Sequence, residues 1–166
     1  MIALKNVLVA TDFGEASEAA LAYGRALAGA FGATLHVLHV VRDVYLSSYG
    51  SEFYIPDNPN VQHEVNEAAR KQLDSLVLDS DGSEPPTTAV LRMANSPART
   101  IVEYAREADI DLIVMGTHGR NAVAHLVMGS VAERVVRTAS CPVLTVHHPE
   151  HEFVVPDSLA TVAHAS

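Results

Sequence analysis

The residues best suited to chemistry lie in GTHGRNAVAHLVMGSVAERV, from Gly116 to Val135. Gly116 and Gly119 carry no Cβ, so the chain there can turn sharply and bring backbone N–H groups against an anion. Gly129 and Ser130 open a helical stretch whose unpaired first amides and positive dipole end suit phosphate oxygens, with the Ser130 hydroxyl as an added donor. A nine-residue spacer joins the two devices. The same residues also have plain structural readings. Glycine serves any strand-to-helix turn, and Ser130 with Glu133 fits a capping box in which the serine oxygen meets the Glu133 amide. Neither a dinucleotide fingerprint nor a Walker-type loop is present: TDFG lacks the glycine trio, and no Gly-Lys-Ser/Thr follows the glycines. Lysine is therefore missing where fast phosphoryl transfer would use it.

These residues need a scaffold, and the hydrophobic pattern supplies one. The segment Ile2 to Ala10 contains NVLVA, a β-branched apolar run ending at Asp12 and Gly14, and reads as a buried strand. From Glu15 to Phe31 the spacing predicts a helix with Ala16, Ala19, Ala20, Tyr23, Leu27 and Ala30 on its apolar face and Gly32 as its C-terminal cap. Ala33 to Val41 reads as the second strand, which completes a strand, helix, strand unit. Residues 42 to 60, with three of the five tyrosines, form a long connection ending at the helix-start pair Asn58 and Pro59. Val61, Val65, Ala69, Leu73, Leu76 and Val77 then recur at helical spacing as far as Leu78, and Asp79 to Pro86 is a surface loop. TTAVLRM is a strand, Ser96 and Pro97 start a helix containing Ile101, Val102, Tyr104, Ala105 and Ala108, and DLIVMG is a strand ending on Gly116. A helix from Ser130 to Thr138 and a last strand through Val146 close the pattern. Five strands alternate with four helices, which predicts an open α/β fold with a parallel sheet and helices on both faces. An open parallel sheet presents ligands at the carboxyl ends of its strands, where the glycine loop falls.

Composition narrows the class of function. The chain has 166 residues, 48% hydrophobic and only 5% aromatic, consistent with one domain and an aliphatic core. Its net charge of −9, without a Lys/Arg cluster, argues against a nucleic-acid surface. A single cysteine excludes an intrachain disulfide framework. No signal-peptide pattern opens the chain and no apolar run reaches the roughly 20 residues of a membrane helix, so the expectation is a cytoplasmic protein without direct membrane insertion. Residues 1–147 form the domain, and 148–166 lack the periodicity of a core and read as a tail.

The Gly, two residues, Gly, nine residues, Gly-Ser pattern of Gly116, Gly119, Gly129 and Ser130 resembles that of the universal stress protein family in its ATP-binding subgroup. NVLVATDFGEASEAAL, LHVLHV, SPARTIVEYAREADIDLIVMGTHGR and GSVAERVVRTASCPVLTV resemble family segments in family order, over about residues 3 to 147. The resemblance implies a Rossmann-like fold and a site for ATP. By it, Asp12 reaches the ribose, with Ala10 and Thr11 beside it; a carboxylate can accept two hydroxyl hydrogens. Asp12 also stands three residues before Glu15 and could instead close the first helical turn. Val40 and Val41 match the adenine wall. Met115, Gly116, His118, Gly119 and Arg120 match the loop near phosphate and ribose, and Gly129, Ser130 and Val131 the second phosphate turn. Arg120 offers forked donors to a phosphate or is an exposed loop arginine. His118 reads better as a hydrogen-bonding loop residue than as a general base. Two positions depart from the pattern: Ala122 stands where many binders have glycine, and His125 where they have arginine. Neutral imidazole would give a triphosphate less positive charge.

Cys141 has no charged activator in the sequence and reads as a structural thiol. His147, His148, His151 and Glu150 do not fix the geometry of a metal site. The resemblance further implies dimers that pair the last strand, Val143 to Val146, across a two-fold axis. The leading expectation is thus a homodimeric protein that binds adenine nucleotide and changes its interaction with a protein partner accordingly. A slow ATP hydrolase using Mg²⁺, and a nucleotide-free adaptor dimer, are the alternatives. Only Asp12, His118 and Arg120 are generic candidates for turnover, so binding is the central expectation.

Overall fold

The computed structural model describes residues 1–44, 60–78, 85–118 and 128–147. The Asn58–Pro59 start signal, the loop residues Gly119, Arg120, Ala122 and His125, and the 148–166 tail with His148, Glu150 and His151 lie outside the described residues. The elements run β1 (Asn6–Thr11), α1 (Glu15–Phe31), β2 (Thr34–Val41), α2 (Asn60–Leu78), β3 (Thr87–Met93), α3 (Pro97–Glu107), β4 (Leu112–Gly116), α4 (Ser130–Thr138) and β5 (Val143–Val146). The strands form one sheet in the order β3-β2-β1-β4-β5. Every pair is parallel, with Ala10 opposite Leu38 on one side and Met115 on the other. The expected open parallel α/β fold is observed.

Side-chain alternation along the strands feeds two cores. Leu8, Ala10, Leu38, Ile113 and Met115 point to one face and pack with Ile101, Val102 and Ala105 of α3 and Ala132 and Val135 of α4. Val7, Val9, Leu35, Val37 and Val114 point to the other and pack with Ala20, Leu21 and Ala28 of α1 and Leu73 of α2. Burial of β1 and β4 on both faces is why they carry the apolar runs VLVA and LIVM. Where β1 and β4 begin, the Asp111 carboxylate accepts N–H bonds from Lys5 at 2.7 Å and Asn6 at 3.0 Å, which hold it below the usual carboxylate range.

Helix α1 has the expected limits, and Gly32 ends it in the left-handed region at φ 64°. Its buried face differs from the expected one. Ser17, Ala20, Leu21, Tyr23, Gly24 and Ala28 are buried, whereas Ala16, Ala19 and Leu27 are half-buried and Ala30 is exposed. Ala20 and Tyr23 are buried as expected, but at the closest approach small size decides: a Cβ on Gly24 would collide with Val9 Cγ2, so the helix there approaches the sheet as closely as a bare backbone permits. In α2 Ala69 and Leu73 are buried as expected, but Val65 is exposed. Pro97 opens α3, yet the Ser96 side chain makes no capping bond; its carbonyl accepts instead from the Thr100 N–H and hydroxyl, each at 3.1 Å.

Two outcomes follow from this packing. Gly24→Ala adds a better helix former, by about 1 kcal/mol, but overpacks against Val9. Denaturant unfolding should show a net loss of about 1–3 kcal/mol. His36 of β2 lies 2.8 Å from the Tyr104 hydroxyl through Nδ1, and burial holds its imidazole below the ordinary value of 6.5. Because the folded pKa is depressed, the unfolded chain takes up the proton first. The stabilisation is present above 6.5 and is lost as pH falls from there through the folded pKa. The melting temperature should therefore fall on acidification in that window, and the His36→Leu/Tyr104→Phe double variant should show a flatter dependence.

Candidate functional site

At the carboxyl ends of the strands, beside the point where strand order reverses between β1 and β4, lies a cavity of about 660 Å³. That volume falls within the roughly 300–1,000 Å³ typical of small-molecule sites. Ala10 and Thr11 line it from β1 and Asp12 from just beyond, and Leu38, His39, Val40 and Arg42 from β2 and the residue beyond. Pro97 and Ile101, one turn apart on α3, face them. Met115 to His118 and Gly129 to Ala132 complete the wall.

The turn after β1 is built on hydroxyls. Ser17 donates to the Gly14 carbonyl at 2.8 Å and accepts the Gly14 N–H at 3.1 Å. The Thr11 hydroxyl lies 3.1 Å from Ser17 Oγ and accepts the Phe13 N–H at 3.0 Å. Phe13 sits at φ 63°, a region that non-glycine residues seldom occupy. Asp12 Oδ1 accepts the Gly14 N–H at 3.1 Å, so its carboxylate closes a tight turn ahead of the helix, and Gly14 is the residue at the N-cap. The reading of Asp12 as the cap of α1 is therefore corrected.

Thr117 joins the other half of the site. Its N–H donates to Val146 O at 2.8 Å and its carbonyl accepts the Gly129 N–H at 2.7 Å, which ties the end of β4 to β5 and to the start of α4. Its hydroxyl lies 2.9 Å from His118 Nδ1 and 3.2 Å from His147 Nδ1. Gly129 is the N-cap of α4 at φ −73°, ψ 151°, and the first helical bond runs from Glu133 N–H to Gly129 O at 2.9 Å. The amides of Ser130, Val131 and Ala132 precede that bond, and all three residues line the cavity. The Ser130–Glu133 capping box does not form: Ser130 is already the first helical residue, and the Glu133 carboxylate pairs with Arg137 at 3.1 Å.

Gly116 is glycine for a packing reason. A Cβ there would lie 2.9 Å from both the carbonyl carbon and the Cβ of Ala16. Among the expected site residues, Ala10, Thr11, Asp12, Val40, Met115, Gly116, His118, Gly129, Ser130 and Val131 line the cavity. Val41 does not. Alternation along β2 turns its side chain away from that of Val40 into the interior, and its carbonyl accepts the Ala94 N–H at 2.9 Å. Gly119 and Arg120 lie outside the described residues. Sequence reasoning missed Ser17, Leu38, His39, Arg42, Pro97, Ile101, Thr117 and Ala132. Two-residue alternation back from Val40 points to Leu38, and four-residue helical spacing pairs Pro97 with Ile101; the others depend on tertiary approach.

Among the described residues, no three His, Cys, Asp or Glu side chains come together as a metal site, and no helix is long and apolar enough to cross a membrane. Cys141 packs half-buried against the α3–α4 core, where burial pushes its thiol up.

The profile of the Universal stress protein family matches residues 3–147. The chain belongs to this family. It is 32% identical over 142 residues to universal stress protein A homolog 1 of Coxiella burnetii, covering 86% of this chain and 95% of that one. The solved structure of the universal stress protein UspA from Lactobacillus plantarum superposes with a TM-score of 0.72 at 27% identity, over 88% of this chain and 99% of that one. Two more distant universal stress proteins share the fold. One, from Archaeoglobus fulgidus in complex with dAMP, has a TM-score of 0.61 at 23% identity over 88% and 99% of the two chains. The other, in complex with cAMP, has a TM-score of 0.55 at 24% identity over 88% and 98%. The universal stress protein fold therefore accounts for nearly all of the described residues. In this chain Gly116→Ala should lower stability to urea by about 1–3 kcal/mol, because the atoms it would meet include helix backbone; a loss below about 0.5 kcal/mol would show that α1 shifts freely.

Proposed function

We propose that this universal stress protein binds ATP in the cavity and acts as a cytoplasmic, homodimeric, nucleotide-responsive regulator of a partner protein. The observation that carries the reading is the convergence of three unlike surfaces on one cavity: the opening amides of α4, the Asp12 carboxylate, and an apolar slot of Leu38, Val40, Pro97 and Ile101. Each suits one part of an adenine nucleotide. Amides at a helix start, with the Ser130 hydroxyl, suit phosphate oxygens. A carboxylate suits ribose hydroxyls, as in other nucleotide folds. An apolar slot suits the base. Mg²⁺ would neutralise the phosphates, as it commonly does with one or two carboxylates and several waters. Gly119 and Arg120 complete the proposed phosphate loop. The dAMP and cAMP complexes of the two related proteins support an adenine ligand. The position of β5 at the edge of the sheet supports dimerisation through that strand.

Protein purified without added nucleotide and then heat-denatured should release an adenine nucleotide detectable by chromatography, and emptied protein should bind ATP in a calorimeter. Gly129→Leu should weaken that binding at least about tenfold by filling the space before the α4 amides. The backbone of Gly129 is ordinary for any residue, so the variant should fold. No released nucleotide together with no heat of ATP binding would overturn the reading, and unchanged affinity in Gly129→Leu would displace the ligand from α4.

A further inference from the structure

We infer that His39 is a positioning residue that aims the Asp12 carboxylate at the ribose; the inference rests on the nucleotide reading above. The ladder between β1 and β4 ends at Ala10 and Met115, one residue short of Thr11. Beyond it, His39 Nδ1 lies 2.8 Å from the Thr11 carbonyl. A carbonyl oxygen only accepts, so Nδ1 carries the hydrogen and donates it. The same imidazole lies against the Phe13 ring, with centroids 4.2 Å apart and planes tilted by 36°. One side chain on β2 therefore holds the residue before Asp12 by a hydrogen bond and the residue after it by a ring contact.

Phe13 needs such a contact. At φ 63° it occupies backbone space that side chains with a Cβ seldom adopt, and surrounding structure must hold it there. The turn it makes directs Asp12 Oδ1 to the Gly14 N–H at 3.1 Å and fixes the carboxylate direction. Without the imidazole, Thr11 keeps its place in the β1–β2 ladder and its hydroxyl bonds to Ser17 and Phe13. The Thr11 carbonyl, however, loses the Nδ1–H and the Phe13 ring loses its His39 contact, which loosens the Asp12 turn. The α4 amides stay unchanged, because those are held separately through Thr117 and Gly129 at 2.7 Å. His39 thus acts on ribose recognition through Asp12, and phosphate recognition does not pass through it.

The test compares affinities for ATP and for the analogue lacking both ribose hydroxyls in wild type, His39→Leu, His39→Asn and Asp12→Ala. Wild type should prefer ATP by roughly tenfold or more, the usual effect of hydrogen bonds to a charged group. His39→Leu should bring that preference toward one, as Asp12→Ala does. His39→Asn, whose amide N–H stands close to the place of Nδ1–H, should keep most of it. If His39→Leu fails to fold, His39→Phe keeps a ring against Phe13 without the N–H and serves in its place. A full preference for ATP in a folded variant without the N–H would overturn the role. A readout free of nucleotide separates this from the binding proposal: amide exchange at Gly14 should rise at least about tenfold relative to Val114 in His39→Leu and stay near wild type in His39→Asn. Unchanged exchange at Gly14 would overturn the tether, whereas absence of ATP binding to wild type would overturn only the nucleotide reading.

Discussion

Ala16, in the first turn of α1, rests where any side chain on Gly116 would stand, and this contact sets the relation between the two halves of the site. Gly116 ends β4, while the first turn of α1 directly follows the Asp12 turn at the end of β1. Pressing one against the other brings both strand ends into register at the place where strand order reverses. The close approach continues along α1 at Gly24, which lies against Val9. One residue past Gly116, Thr117 carries the alignment onward by bonding to Val146 and Gly129. A packing constraint on one strand-end glycine thus propagates to the Asp12 turn on one side and to the α4 amides on the other.

Such a scaffold resolves an electrostatic difficulty. A chain of net charge −9 is a poor surface for an anionic ligand at long range. The positive end of α4, equivalent to about half an elementary charge, is short-ranged and built from backbone groups, so it needs no basic patch. Arg42 adds a basic side chain on the β2 side of the same cavity. The ligand is accordingly expected to depend on geometry at close range, which is why the packing of α1 and α4 matters more here than the surface charge.

Much of the fold was legible in the pattern of residues, for identifiable reasons. β1 and β4, buried on both faces, had to be apolar runs, and Gly32 and Pro97 mark helix ends through backbone chemistry that is local. What failed was tertiary. The buried line of α1 includes Ser17 and Gly24, which no hydrophobic scale would choose, because that contact is decided by how near the helix comes to β1. Ser130 looks like a helix cap in the sequence, but the first helical bond, from Glu133 N–H to Gly129 O, makes Gly129 the cap instead. The family pattern places Val41 with Val40 at the adenine wall, but adjacent strand residues face opposite ways and only Val40 lines the cavity. His39 and Arg42 went unnoticed because a strand histidine and a post-strand arginine acquire meaning only when other strand ends stand beside them.

An adenine nucleotide seated in the cavity at the strand ends, with its phosphates on α4, would perturb a defined set of backbone amides. Mapping backbone amide chemical shifts while ATP is added tests that placement most directly. Saturable shifts should concentrate at Ser130, Val131 and Ala132, with further changes at Gly14 and Val40 and little change along the outer strand Thr87–Met93. Shifts that cluster away from these residues, or no shifts at saturating ATP, would contradict that placement.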